Sequence, residues 1–138
     1  MGKTYLRLLG MVLCAIVLTV GLVACGSPAA SVSGKYHTDN LGLTFSDFEF
    51  TGTNQVTLFC GGFENAHGTY KTEGAHYIVE ISSHDNDSYY YGQVEEIKND
   101  CDVIVTPKNE NTISVEIKAK DSGYVYAGQL GAKEYTKQ

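Results

Sequence analysis

From Gly34 onward, apolar and polar side chains alternate in short runs separated by glycine, asparagine and aspartate. A period of two with turn residues between the runs predicts β-strands joined by tight connections. Leu41, Leu43 and Phe45 share one parity and Phe48 and Phe50 the other, so the first long strand is expected to bulge or break near Ser46-Asp47. Thr51-Gly52-Thr53-Asn54 turns the chain into Val56, Leu58 and Cys60, and Gly61 to His67 reads as a loop. Gly68-Thr69-Tyr70-Lys71 opens a strand that Glu73-Gly74 closes as a hairpin, with Tyr77, Val79 and Ile81 on one face of its partner.

The second half follows the same pattern. Ser82 to Ser88 is a polar loop, after which Tyr89, Tyr91 and Val94 line one side of a strand. Asn99 to Asp102 turns into Val103 to Val105, and Pro107 to Asn111 turns into Ile113, Val115 and Ile117, the strictest alternation in the chain. Asp121-Ser122-Gly123 leads to Tyr124 to Tyr126, and a last segment falls at Glu134-Tyr135-Thr136. The expected fold is all-β, about eight short strands with no helix, arranged as a small antiparallel β-barrel or a compact sandwich that hides its strand edges. An interior filled by Phe45, Phe50, Leu58, Tyr77 and Val115 would be a solid core, whereas one lined by small residues would be a ligand pocket.

The first 24 residues follow a different pattern. Lys3 and Arg7 precede an uncharged stretch of 17 residues, Leu8 to Ala24. A helix of that length covers roughly 25 Å against a hydrocarbon core of about 30 Å, which fits a cleaved signal helix better than a permanent span. Leu22-Val23-Ala24-Cys25 then resembles the lipobox of bacterial lipoproteins. The resemblance covers residues 1–25 and implies removal of 1–24 as a signal peptide, with a diacylglyceryl group on the Cys25 thiol. Two or three acyl chains hold a protein stably on a membrane where one does so only marginally. The implied address is the extracytoplasmic face of a bacterial cell membrane, reached through the anchor at Cys25. An uncleaved anchor and cleavage by an ordinary signal peptidase are the alternatives. Residues 25–33, rich in glycine, serine and alanine, read as a flexible tether, and 34–138 as a single β domain.

Removing the signal changes the charge. The whole chain carries a net −6, but the segment from Cys25 keeps all 16 carboxylates and eight lysines and has no arginine, a net −8. Nucleic acid is therefore not an expected partner, because phosphate recognition shows as a lysine and arginine patch. Cys60 and Cys101 remain in that segment. An even pair outside the cytoplasm predicts a disulfide, and closing about 41 residues would stabilise the fold by roughly 3.9 kcal/mol. A thiol nucleophile is the alternative, disfavoured by Asp100 and Asp102 beside Cys101, since carboxylates raise a thiol's pKa.

Other candidate chemistry is sparse. His37, His67, His76 and His84 have no spacing that forces three or four ligands to converge, and in a hairpin centred on Glu73-Gly74 His76 would face Lys71 and His67 would face Glu80. They read as isolated surface histidines. Asp85, Asp87 and Ser88 form an oxygen-rich loop without the glycine and glutamate offsets of an EF-hand. Neither a nucleophile elbow nor a phosphate loop occurs, and Glu95 and Glu96, adjacent on a strand, would point to opposite faces. No catalytic, metal or cofactor residue is assigned, and the chain is not expected to be an enzyme, with a hydrolase as the alternative class. Tyr89-Tyr90-Tyr91 is the candidate ligand site, because consecutive tyrosines on a strand put at least one amphipathic ring outward.

One further resemblance covers residues 34–138. Gly34-Lys35-Tyr36-His37-Thr38-Asp39 and Gly68-Thr69-Tyr70-Lys71-Thr72-Glu73 share a G-x-Y-x-T-acidic pattern, and such openings before short alternating strands resemble the small lipocalin-like β domains of many bacterial lipoproteins. The resemblance implies a small barrel. The expected role is a lipid-anchored binding or envelope-interaction module for a protein or a small apolar ligand, with a protein-interaction or inhibitor module acting through Tyr89 to Tyr91 as the second reading.

Overall fold

Alternating strands with short turns have one economical closed arrangement, in which each strand pairs with its sequence neighbours and the last returns to the first. The chain adopts it. A computed structural model describes residues 30–40, 42–121 and 131–138. The expected signal segment, Cys25 and the Tyr124 to Tyr126 strand lie outside the described residues. The strands are β1 (Gly34–His37), β2 (Asp47–Thr51), β3 (Gln55–Cys60), β4 (Phe63–Glu73), β5 (His76–His84), β6 (Cys101–Asn109), β7 (Thr112–Ala119) and β8 (Gly131–Lys137). A helix, α1 (Tyr91–Asp100), lies between β5 and β6. All neighbours are antiparallel, and Tyr36 opposite Lys137 and His37 opposite Thr136 close a barrel, not a sandwich.

The inward positions fill the interior. Phe45, Phe50, Leu58, Tyr77 and Val115 are all buried, together with Tyr36, Phe48, Val79, Val103, Ile113 and Ile117. Their rings meet edge to face, Phe48 with Tyr135 at 5.2 Å and Tyr36 with Phe50 at 5.9 Å between centroids, the geometry that the ring quadrupole favours. Tyr135 can be buried because its hydroxyl donates to the Phe45 carbonyl at 2.7 Å. Among the described residues these side chains form one buried apolar cluster.

Several expected boundaries move. The break near Ser46-Asp47 is real: residues 42–46 are loop, and β2 begins at Asp47. The expected loop from Gly61 to His67 is instead a two-residue turn at Gly61-Gly62, both at positive φ, followed by the first part of β4. A bulge opposite Leu58-Phe59 breaks the alternation there, which hid the strand. The β4–β5 turn sits one residue later than expected, so His76 faces Glu73 and Lys71 faces Ile78, while a bulge places His67 opposite Ser83. Gly68 lies inside β4 at that bulge, where a Cβ would fall 2.4 Å from the Glu80 carbonyl oxygen. β6 runs from Cys101 to Asn109 and carries Pro107 past the end of its pairing with β5, where the missing N–H leaves no gap in that ladder.

The absence of a helix was the largest misreading. Val94 and Ile97, one turn apart, are the buried residues of α1, and two apolar positions are too few to show a helical period. Tyr89, Tyr91 and Val94 supplied a false alternation in their place. Glu95 and Glu96 therefore lie on a helix, not on opposite faces of a strand.

Candidate functional site

The up-and-down course gives the barrel two unlike ends. Ala30 to Ser33, the turns after β2, β4 and β6, and the C-terminus gather at one, the tether end. Val32 is buried there, Tyr77 donates its hydroxyl to the Ala30 carbonyl at 3.1 Å, and the Gln138 amide reaches the Lys35 carbonyl at 2.9 Å. The other, the loop end, carries residues 38–40 and 42–46, the Gly61-Gly62 turn and the Asp85–Asp100 crossover with α1, and there β7 ends and β8 begins.

At the loop end β1 stops with His37 directly opposite Asp47, the first residue of β2. Asp47 is 3% exposed, and three groups hold its carboxylate: His37 Nδ1 at 3.0 Å, the Ser46 hydroxyl at 2.6 Å and, more distantly, Lys35 Nζ at 3.7 Å. The other nitrogen of His37 lies 3.0 Å from exposed Asp39, so the ring bridges the loop to the barrel wall. The hydrogen bond to Asp39 first, and then that to Asp47, raise the His37 pKa against the opposing desolvation. Ser46 Oγ also accepts the Gly62 N–H at 2.9 Å, tying the loop to the β3–β4 turn. This order is wrong for an activated serine: the hydroxyl donates to the carboxylate, whereas a nucleophile needs the imidazole between the two. His37, Asp39, Leu43, Ser46, Gly62 and Tyr90 line a shallow cavity of about 300 Å³.

The candidate tyrosines sit beside it. They do not form a strand: Tyr89 and Tyr90 lie in the turn before α1, and Tyr91 is its first residue. Tyr90 is half-buried, with its hydroxyl 3.2 Å from where a Gly61 Cβ would stand, so the two are in close approach, and Gly61 is favoured by its positive φ. Tyr89 is 91% exposed and meets Tyr90 edge-on at 5.3 Å. Tyr91 stacks edgewise on His84 at 5.2 Å and hydrogen-bonds Glu95, which holds the Glu95 carboxyl below and the Tyr91 hydroxyl above their usual ranges. The exposed large hydrophobic side chains among the described residues are Tyr89, Tyr91 and Phe63, the last just beyond Gly61-Gly62. The sequence reading missed Phe63 because it lay in the supposed loop; a glycine pair flanked by Phe59 and Phe63 was the available signal.

The histidines are not all isolated on the surface. His37 is clamped between carboxylates, and the His84 side chain is only 6% exposed, with Nε2 3.4 Å from Glu95 and Nδ1 without a partner. Asn65, also buried, donates to the Ser88 hydroxyl and leaves its Oδ1 unpartnered. Among the described residues no three His, Cys, Asp or Glu side chains converge as a metal site, and no helix is long and apolar enough to cross a membrane.

The expected disulfide does not form. Cys60 and Cys101 are free and buried. Cys60 closes β3 and Cys101 opens β6, with β4 and β5 between them. Three strand spacings make about 14 Å along the wall, twice the Cα separation that a disulfide spans. Burial pushes the Cys60 thiol up to about 12, and burial followed by Glu96 and Asp100 raises Cys101, so both thiols rest protonated.

A second, larger cleft of about 580 Å³ opens in the wall where β5 and β6 part after Val79 and Val103. The next rung would set Glu80 against Asp102, two like charges, and Ile97 of α1 wedges in below. Its lining includes Lys71, Lys98 and Lys120 together with Glu73, Glu80 and Asp102, and Lys71 is already bound to Glu80 at 2.7 Å. Such a balanced lining selects no ligand charge. No protein-family model, curated protein or solved structure matches the chain.

Proposed function

We propose that this chain is a lipid-anchored extracytoplasmic binding module that stands on its tether end and meets a protein partner with its loop end. The observation that carries the reading is the polarity of the barrel. Cys25 lies seven residues before buried Val32, and seven residues span at most about 25 Å, so acyl chains on Cys25 would keep the tether end close to the bilayer. Phe63, Tyr89 and Tyr91 then face away from it. The filled interior supports surface contact over capture of a small apolar ligand in a calyx. The protonated resting thiols and the Ser46–Asp47–His37 order support a role without catalysis.

Fractionation with intact mass measurement tests the anchor. The wild-type protein should partition with membranes, begin at Cys25 and carry added acyl mass, while Cys25→Ala should keep its signal and lack that mass. An unacylated wild-type chain, or one cleaved elsewhere, overturns the anchoring.

A further inference from the structure

We infer that the loop end docks a lysine- and arginine-rich segment of a partner protein, held by Phe63, Tyr89 and Tyr91 among carboxylates; the inference rests on the loop-end binding reading above. Phe63, Tyr89 and Tyr91 are 79%, 91% and 39% exposed. Two chain segments bring them to one end. Tyr90 lies against Gly61, two residues before Phe63, and carries Tyr89 beside it and Tyr91 after it. Exposed rings at the tip of a rigid wall are the side chains that most often anchor protein contacts, since they cover much area at little entropic cost.

Charge decides which partner they fit. The Asp85–Asp100 crossover carries Asp85, Asp87, Glu95, Glu96 and Asp100 against Lys98 and the neighbouring Lys120, whose ammonium bonds the Asn99 carbonyl, with Glu95 already bonded to Tyr91, so the surplus is acidic. A guanidinium or ammonium group can lie over a tyrosine face and meet a carboxylate at its edge, and both contacts strengthen as the interface loses water. The same carboxylates repel anionic lipid headgroups and nucleic acid. They also disfavour a second copy of this chain, which from Cys25 onward carries −8 and no arginine. Near these segments two buried polar atoms have no partner among the described residues: His84 Nδ1, on the ring that Tyr91 meets edgewise, and Oδ1 of Asn65, whose amide binds Ser88. Both are closed to solvent, so a partner's polar group would reach them only if Tyr91 or the 85–90 turn moved aside.

The test uses the full chain in detergent micelles with nona-arginine as the probe, against nona-glutamate and a neutral glycine-serine peptide. Nona-arginine should bind, and more weakly as salt rises from about 50 to about 300 mM, while the two controls should not. Two variants that retain the wild-type β circular-dichroism spectrum, Phe63→Ser/Tyr89→Ser/Tyr91→Ser and Asp85→Asn/Asp87→Asn/Asp100→Asn, should each weaken binding at least about tenfold. An aromatic variant that binds like wild type, or a control peptide that binds equally well, overturns the inference. In cells, a photo-crosslinking phenylalanine at position 89 should capture a lysine- and arginine-rich peptide that the same probe at position 111, at the tether end, does not. A neutral or acidic peptide, or a glycan adduct, overturns it. Membrane retention without such a crosslink sinks this inference alone, whereas an unacylated chain that still binds nona-arginine sinks the anchoring alone.

Discussion

The two ends of the barrel use the same strands for different purposes. At the tether end the turns are short, Ala30 to Ser33 and the C-terminal Gln138 are tied to the wall, and Lys137 reaches toward Ser33 and the Tyr36 ring. At the loop end the connections lengthen, a helix is inserted, a histidine is clamped between carboxylates, and aromatic side chains remain in solvent. A closed meander can afford this asymmetry because every strand has both neighbours, even where β5 and β6 pair at only three positions and α1 packs beside them, so one end is free to vary. The difference shows where stability resides in this chain, in the wall, and the proposed recognition falls beyond it.

Damage to the wall should erase the comparison altogether. Gly68→Val places a branched side chain against the Glu80 backbone, where even a Cβ would sit at 2.4 Å, so β4 and β5 must separate. The expected loss is at least about 3 kcal/mol, read as a lower urea midpoint with both ends melting together. Ile97→Ala should sharpen the contrast instead. Ile97 is fully buried and pins α1 across the gap between β5 and β6, so its truncation should cost about 2 kcal/mol, the low end for a buried isoleucine because a short helix can resettle. Amide hydrogen exchange should quicken through Gly92–Asp100 while Val56 and Val115 keep their protection. Equal loss at both ends would show that α1 belongs to the wall.

How much could be read from the chain follows the same division. The wall was legible because Ile113, Val115 and Ile117, or Tyr77 and Val79, alternate with solvent-facing residues, and burial enforces a period of two. The loop end was not. The bulge before Ala66 and the three-residue spacing of Val94 and Ile97 each interrupt a period that local reading depends on. Cys60 and Cys101 failed for a different reason. Their separation depends on strand order around the barrel, which no local pattern encodes, so an even cysteine count was a poor guide. The clamp of His37 between Asp39 and Asp47 likewise depends on the β1–β2 register, although the neighbouring break at Ser46-Asp47 was visible.

That clamp gives a smaller effect confined to the loop end. The His37 pKa is raised above its ordinary 6.5 by Asp39 and Asp47, so its contribution is complete below the unfolded value and is lost as pH climbs through the folded one. Wild-type stability minus that of His37→Gln should therefore be larger at pH 6 than at pH 8.5. Because the ring is a third exposed, the change should be at most about 1 kcal/mol. Urea midpoints of the two proteins across this range measure it, and a difference that grows with pH would contradict the assignment.

The smallest expected effect is the most discriminating. Tyr89 is 91% exposed and among the described residues its one ring contact is with Tyr90, so Tyr89→Ser should leave the urea midpoint within about 0.5 kcal/mol of wild type. Tyr135, buried and bonded to the Phe45 carbonyl, is the same residue type in the opposite situation: Tyr135→Phe should cost about 1 kcal/mol or more, because that carbonyl is left without its donor. A tyrosine that the fold does not need is one the proposed partner is free to use. If Tyr89→Ser destabilised the protein as much as Tyr135→Phe, the ring would belong to the fold after all, and the loop end would lose its strongest claim to be the binding face.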